Sequence, residues 1–184
     1  MASAYIGTAF ISDIGVGGSY WISNGTEWKP LNGFVTLYQN NVQGASVTGV
    51  TSLDTLLTYN IPENLLGLNG KLVVDIKLTV KVITASTTLK VNIGGTQAWA
   101  FGTSLFASDT ALGLRMTSAN RNSNTLKLGS TNTSTDYGGG TNAVTHTKYS
   151  VNTSVSQDLT VTIQNGNVGS SYNQESISIM LVSP

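Results

Sequence analysis

The chain has 184 residues, the length of one ordinary domain, and nine Lys and Arg balance nine Asp and Glu. Only 10% of the residues are charged, and no apolar run approaches the roughly 18 residues of a membrane-spanning helix, so we expect neither nucleic-acid binding nor membrane insertion. The absence of Cys excludes disulfides and thiolate zinc sites, and the single His excludes a histidine-rich metal site within one chain.

Small polar residues take the place of the missing charges. The sequence contains 25 Thr, 21 Ser, 17 Asn and 20 Gly, while 40% of its residues are hydrophobic. That hydrophobic fraction is enough to form a core, Thr and Val favour strands, and Gly and Asn favour turns. The composition therefore predicts an all-β domain with long polar loops.

The first predicted unit along the chain is a small aromatic module over residues 1–33. Asn24-Gly25 lies between the short aromatic runs Tyr20-Trp21-Ile22 and Glu27-Trp28-Lys29. Asn-Gly tolerates the positive φ angles of a type I′ turn, so this pattern predicts a β-hairpin. About thirty residues are too few to bury a core alone. We therefore expect the module to pack on the larger domain or against copies of itself.

Residues 34–184 are predicted to form a jelly-roll-like antiparallel β-sandwich. Apolar residues occupy every even position from Leu72 to Val82, with mostly polar residues between them, which indicates a long strand with one buried face. Shorter strands are predicted around the following segments: 34–38, 89–93, 99–101, 112–116, 126–128, 159–163 and 177–181. Eight or more such strands separated by turns are typical of a sandwich or barrel.

Two further expectations concern segments outside these strands. Thr51–Leu57 could form one helical turn, and Ile61–Leu66 another with Pro62 at its first position. The stretch Thr117–Ser156 is rich in Asn, Ser, Thr and Gly, and we interpret it as loops with at most one strand.

The search for reactive groups identifies no site. His146 has no spaced partners of the kind that a metal or a catalytic role needs, so a structural or exposed His is the favoured interpretation. The nine acidic residues are scattered and form no recognisable pair for glycoside hydrolysis. Trp21 and Trp28 could form a sugar-stacking platform, but packing within the hairpin or at a subunit interface is favoured. We therefore predict no enzymatic activity, no cofactor and no metal.

Two segments resemble a recurring element of tailed-bacteriophage virion proteins. Residues 11–33 read ISDIGVGGSYWISNGTEWKPLNG, and residues 60–72 read NIPENLLGLNGKL, like the lead-in to a long strand in the same proteins. Together they lie within roughly the first 40% of the chain. The motif is moderately specific: it indicates a virion appendage but does not distinguish a capsid protein from a tail protein.

The resemblance implies a homotrimeric jelly-roll head domain at the end of a phage fibre or on a capsid. Because Met1 lies only ten residues before the motif, a short capsid decoration protein or head fibre is expected rather than a long tail fibre, unless the chain is a shortened piece. The implied location is the virion, after assembly in the host cytoplasm. The implied partners are the chain itself and another virion protein, such as the major capsid or a tail protein. The candidate trimer or attachment contacts are Tyr20, Trp21, Trp28 and Pro30.

Two alternatives remain open beside this structural role. In the first, the protein is the receptor-binding tip of a tail fibre that recognises host surface glycan. Its candidate exposed loop contacts are Asn132, Tyr137, His146 and Tyr149. In the second, which is the weaker, the protein is a glycan-cleaving enzyme with an acidic pair in a groove.

Overall fold

The structure is a computed structural model. It describes residues 10–12, 19–23, 28–30, 34–49, 51–82, 87–102, 106–123, 126–135 and 145–182. Strands and turns make up these ranges, and none of them contains a helix. The strands are β1 Phe10–Ser12, β2 Ser19–Ser23, β3 Trp28–Pro30, β4 Phe34–Asn40, β5 Val47–Thr48, β6 Asp54–Ile61, β7 Lys71–Val82, β8 Thr88–Ile93, β9 Thr96–Gly102, β10 Phe106–Asn120, β11 Leu126–Thr135, β12 Thr145–Ser150, β13 Gln157–Gln164 and β14 Ser171–Val182.

Three antiparallel sheets contain these strands. The N-terminal sheet has the order β1-β2-β3. The large sheet has the order β12-β11-β10-β7-β14-β4, with β5 also paired to β14, and the small sheet has the order β6-β13-β8-β9. After β5 the chain crosses repeatedly between the large and the small sheet, as it does in jelly-roll-like sandwiches.

The hydrophobic alternation of β7 explains how the large sheet is layered. Residues at even positions of this strand are buried, and those at odd positions are at least partly exposed. Successive side chains of a strand point to opposite faces, so one face of β7 lies against the core and the other faces outward. The long strand predicted from Leu72 to Val82 is confirmed.

The core lies between the large and the small sheet. β7, β10 and β14 contribute buried aliphatic residues from the large sheet, and β8 and β13 contribute them from the small sheet. β4 and β6 are edge strands of the large and the small sheet, and Tyr38 of β4 and Tyr59 of β6 approach each other with ring centroids 6.3 Å apart. The predicted all-β antiparallel sandwich is therefore confirmed.

The register defines two ends of the sandwich. Phe34 pairs with Val182, and Val182 pairs with Lys71, so β4 begins at the end where β7 begins and β14 finishes. We call this the proximal end, because the chain enters the sandwich there from the N-terminal sheet. The opposite end, where β7 finishes and β14 begins, is the distal end.

The proximal turn between β8 and β9 depends on two glycines. Ile93 pairs with Thr96, so Gly94 and Gly95 alone make the connection, and their φ angles are 57° and 73°. A two-residue hairpin with positive φ at both positions is a type I′ turn, and Gly adopts it without the steric cost of a Cβ.

Two of the sequence-based expectations are wrong. Asp54–Ile61 is a strand, so the helical turn expected over Thr51–Leu57 does not form; pairing with β13 outweighs the local preference. The described part of the stretch Thr117–Ser156 contains the end of β10 together with β11 and β12, which continue the large sheet. Its polar residues conceal the pattern because only one face of a strand has to be apolar.

The N-terminal sheet partly agrees with the predicted hairpin. β2 and β3 pair antiparallel, as expected for the two aromatic runs, and β1 adds a third strand that was not predicted. The Asn24-Gly25 turn lies outside the described residues. The division of the chain at residues 33 and 34 stays a prediction. Within the described ranges, no helix has the length and hydropathy that crossing a membrane requires.

Candidate interaction surfaces

The register of the N-terminal sheet sorts the predicted contact residues into two faces. Phe10 pairs with Trp21, Trp21 with Pro30, and Ser23 with Trp28. Paired residues and every second residue along a strand share a face. The tryptophan face therefore comprises positions Phe10, Ser12, Ser19, Trp21, Ser23, Trp28 and Pro30. The lysine face comprises positions Ile11, Tyr20, Ile22 and Lys29.

Three of the four predicted loop contacts lie on strands. Asn132 lies on β11 opposite Arg115, and His146 lies on β12 opposite Ser130. Tyr149 is buried, with 8% of its surface exposed, so its prediction as an exposed contact is wrong. Tyr137 lies outside the described residues.

Tyr149 is buried because it belongs to a polar pair inside the proximal end. Its hydroxyl hydrogen-bonds the hydroxyl of Ser118, which is fully buried. β11 lies between the two strands that carry these residues, and its Gly129 pairs with Ser118. Burial raises the pKa of Tyr149 to about 12, and the hydrogen bond to Ser118 opposes part of that rise. The pair therefore links β10 and β12 across β11 as neutral groups.

Asn120, at the end of β10, anchors the turn that precedes β7. Its side-chain amide donates to the carbonyl of Gly67 and, at 3.1 Å, to Oγ1 of Thr153, while its backbone N–H donates to the carbonyl of Gly70 at 3.0 Å. The Oδ1 atom of Asn120 is buried and accepts no hydrogen bond from any residue that the structure describes. The turn belongs to the segment 60–72 that carries the second part of the resemblance, and its role here is structural.

Tyr172 and Asp54 connect the two sheets at the distal end. The buried Tyr172 hydroxyl on β14 donates to the Asp54 carboxylate at the start of β6. Burial and the adjacent carboxylate both raise the pKa of Tyr172, because each disfavours the tyrosinate. Asp54 therefore acts as a hydrogen-bond acceptor for the sandwich.

The outer face of the large sheet carries charged residues in structural contacts. Arg115 forms a two-point ion pair with Asp75 on the neighbouring strand, at 2.7 Å for both hydrogen bonds. Glu175, the extra residue of a bulge in β14, accepts from Thr79 at 2.7 Å and from Gln43 at 3.2 Å. The Arg115 side chain is 60% exposed, so this pair contributes about 0.2–1 kcal/mol.

Hydrogen bonds give four of the acidic residues a structural role that does not require catalysis. Asp54, Asp75 and Glu175 accept the hydrogen bonds given above, and Asp158 accepts from Asn60 at 2.9 Å. Among the described residues, no three His, Asp or Glu side chains are grouped closely enough to hold a metal ion. The predicted absence of enzymatic activity stays a prediction.

Sequence reasoning missed the residues that form the internal polar pairs. Ser118, Asn120 and Tyr172 stand at alternating positions of strands, and this spacing alone marks them as facing the core. The identity of each partner could not be found in this way, because Tyr172 and Asp54 are 118 residues apart.

Comparisons with known proteins give no family. No family model matches the chain, and no curated protein matches it. The chain is similar to the CBM2 module of the evolved Dit of Lactobacillus casei BL23 phage J-1, at 12% identity over 69% of each chain, with a TM-score of 0.43. It is also similar to the lectin UEA-II complexed with galactose, at 10% identity over 82% of this chain and 93% of the lectin, with a TM-score of 0.36. A mutant VP2 protein of infectious bursal disease virus matches at 12% identity over 97% of this chain and 37% of VP2, with a TM-score of 0.33. At such identities and TM-scores, none of these likenesses carries an argument about function.

Proposed function

We propose that the chain is a structural protein of a bacteriophage particle: a trimeric capsid decoration or head-fibre protein exposed on the virion surface. The observation that carries the proposal is the segment 11–33, whose sequence resembles a phage virion element. Its described parts form a separate three-stranded sheet directly before an all-β sandwich. The resemblance implies the same arrangement, a short attachment module followed by a β-rich head.

The surface chemistry of the sandwich supports a structural role. The outward positions of the small sheet are mainly Thr, Asn and Gln, and charged residues make up only 10% of the chain. Such a surface forms many hydrogen bonds with water and produces little long-range electrostatic attraction. It is therefore suited to a particle exterior that does not collect charged molecules.

Two measurements test the proposal. Purified protein should sediment as a trimer, and labelled protein should be located on the capsid in images of intact particles. A monodisperse monomer that still decorates particles would contradict the trimer, and a label confined to the tail would contradict the capsid location.

A receptor-binding tail-fibre tip is the second candidate, and one feature of the large sheet favours it. β11 runs away from the proximal end and pairs with β10 as far as Thr135, opposite Leu112, before the chain returns in β12. β11 thus ends away from the proximal end, and Tyr137 follows its last residue closely in the sequence. Labelled protein should then adsorb to host cells and compete with phage; failure of both would remove this candidate.

We also propose that the protein is not an enzyme. Four acidic residues accept hydrogen bonds that stabilise the sandwich: Asp54, Asp75, Asp158 and Glu175. Incubation with host polysaccharide should release no product, and release of a defined oligosaccharide would overturn this proposal.

A further inference from the structure

The outer face of the large sheet changes in character along its strands. The odd positions of β7 point outward, and the register extends each of them into a row across the neighbouring strands. The first row at the proximal end consists of Leu128, Ala119, Lys71, Val182 and Phe34. The second row consists of Ser130, Thr117, Val73, Met180 and Thr36. The third row is entirely polar and consists of Asn132, Arg115, Asp75, Ser178 and Gln39.

Apolar side chains on the outer face are therefore concentrated at its proximal end. We call five partly exposed residues of the first two rows the proximal patch: Val73, Thr117, Ala119, Met180 and Val182. Four of them are apolar, and Lys71 is the one charged residue of the two rows. A Lys at the end of a sheet can cover apolar surface with its stem while its ammonium reaches water. A sheet face that meets only water is normally polar, and contiguous exposed apolar surface marks a contact site.

The length of the connecting chain indicates what covers the proximal patch. The N-terminal sheet ends at Pro30, and Phe34 stands at the end of the first row, paired with Val182. Four residue steps separate Pro30 from Phe34, so the two lie at most about 14 Å apart. The five strands that form each row span about 19 Å. The N-terminal sheet is therefore held within one sheet width of the patch.

Two physical arguments favour this segment over a second copy of the chain. A module of about thirty residues buries too little surface to be stable alone, so the N-terminal sheet needs a surface to pack on. A short flexible linker also gives an effective concentration of the order of millimolar, which a separate chain at micromolar concentration does not reach. The extents agree as well, because the patch lies on the three strands β10, β7 and β14 and the N-terminal sheet has three strands.

We propose that the proximal patch is the docking surface for the N-terminal sheet of the same chain. The N-terminal sheet then forms a third layer, stacked about 10 Å from the large sheet. The proximal end of the large sheet becomes a middle layer, which explains why β7 and β14 carry apolar residues on both faces there. The inference concerns one chain, so it depends neither on the trimer nor on the virion location.

Photo-cross-linking tests the docking directly, because one of the three Met residues belongs to the patch. Met180 lies on the outward face of β14, whereas Met116 is buried on the inward face of β10. A diazirine analogue of Met has a similar shape and joins only groups in contact with it. Cross-links through Met180 should reach residues 1–33, and those through Met116 should stay within residues 34–184. Met180→Leu should lower the yield of cross-links between residues 1–33 and 171–182 at least tenfold.

A denaturing gel distinguishes the same chain from a second copy as the source of the contact. Docking within one chain leaves the cross-linked protein at the mass of a monomer. A covalent dimer joined through Met180 would overturn the inference, because a second copy would then cover the patch. Reaction of Met180 with solvent alone would also overturn it, because the patch would then be open. A wild-type monomer would contradict the proposed trimer and leave this inference intact.

Thiol protection supplies an independent measurement if the Met analogue prevents folding. The natural chain contains no Cys, so each variant has a single thiol. Thr117→Cys places it in the proximal patch, and Ser176→Cys, opposite Lys77, places it on the polar part of the same outer face. A bulky maleimide should modify Thr117→Cys at least tenfold more slowly than Ser176→Cys. Equal rates would show that nothing covers the patch and would overturn the inference.

Discussion

At the level of single residues, the interior of the sandwich holds polar side chains that are paired across strands. The hydroxyls of Tyr149 and Tyr172 both have partners, Ser118 and Asp54. A buried hydroxyl without a partner costs about 1–3 kcal/mol, so each pair constrains which strands lie next to each other. Asn120 Oδ1 and Thr162 Oγ1 are buried polar atoms that lack a hydrogen bond within the described residues.

The raised pKa of Tyr149 leads to a prediction about alkaline stability. The pKa of about 12 in the folded protein lies above the ordinary value of 10.0, so the unfolded chain loses its proton first as the pH rises. The stability that the neutral hydroxyl contributes is complete below pH 10 and is lost as the pH rises towards 12. The free energy of unfolding should fall by about 1.4 kcal/mol per pH unit for this group alone in that window.

Urea unfolding of wild type and Tyr149→Phe at a series of pH values checks this. Tyr149→Phe should lose about 1–3 kcal/mol at pH 8, because Ser118 is left unpaired, and its stability should then fall less steeply above pH 10. Parallel pH curves for the two proteins would show that Tyr149 does not titrate as described.

At the level of strands, the edges of the sandwich are protected by bulges. The register shifts show one extra residue in each of three edge strands: Leu37 in β4, Leu56 in β6 and Ala98 in β9. A bulge twists an edge strand and interrupts the row of backbone groups that another chain could pair with. Many proteins use Lys at edges for this purpose, and a chain with 10% charged residues relies on backbone irregularity instead.

The β8–β9 turn allows backbone strain to be measured separately from crowding. A Cβ added at Gly95 or at Gly102 would meet no atom within 4 Å, but only Gly95 has a positive φ, of 73°. Gly95→Ala should therefore cost about 1–2 kcal/mol, the penalty of a left-handed conformation for a residue with a Cβ.

Gly102→Ala is the matched control, because its site is equally open and its φ is ordinary. It should leave the free energy of unfolding unchanged or raise it by about 0.4–1 kcal/mol through the unfolded state. Chemical denaturation of both variants distinguishes the two positions. Equal effects would mean that strain at Gly95 does not limit the hairpin.

At the level of the whole molecule, the two sheets of the sandwich share one core. Leu78 on β7 and Leu159 on β13 are both fully buried members of the same hydrophobic cluster. Removing a buried Leu side chain costs the transfer free energy and leaves a cavity. Because both positions belong to one cooperative unit, a change in either sheet should affect the same unfolding transition.

Leu78→Ala and Leu159→Ala should each lower the free energy of unfolding by about 2–5 kcal/mol in a single transition. Thr160→Ala, one residue from Leu159 on the outward face, should change it by less than about 0.5 kcal/mol. Calorimetry and circular dichroism of the three variants check this. Two separated transitions in either Leu variant would contradict a common core.

The sequence by itself determined which faces of the main strands are buried. The alternation of β7, β8, β13 and β14 is a local property, since one buried face requires an apolar residue at every second position. The aromatic runs around Asn24-Gly25 likewise predicted that β2 pairs with β3. The trimer, the virion location and the attachment role of residues 1–33 stay proposals that derive from the resemblance.

Only the tertiary structure decided which polar residues lie inside. β6 and β12 were not recognised and β11 was predicted only over residues 126–128, because neighbours distant in the sequence provide their hydrogen bonds and their polar residues hide the alternation. For the same reason Tyr149, which appears in a polar stretch, lies buried beside Ser118. The register of β1, β2 and β3 then separated Tyr20 from Trp21, Trp28 and Pro30, since facing depends on which residues are paired and not on residue type.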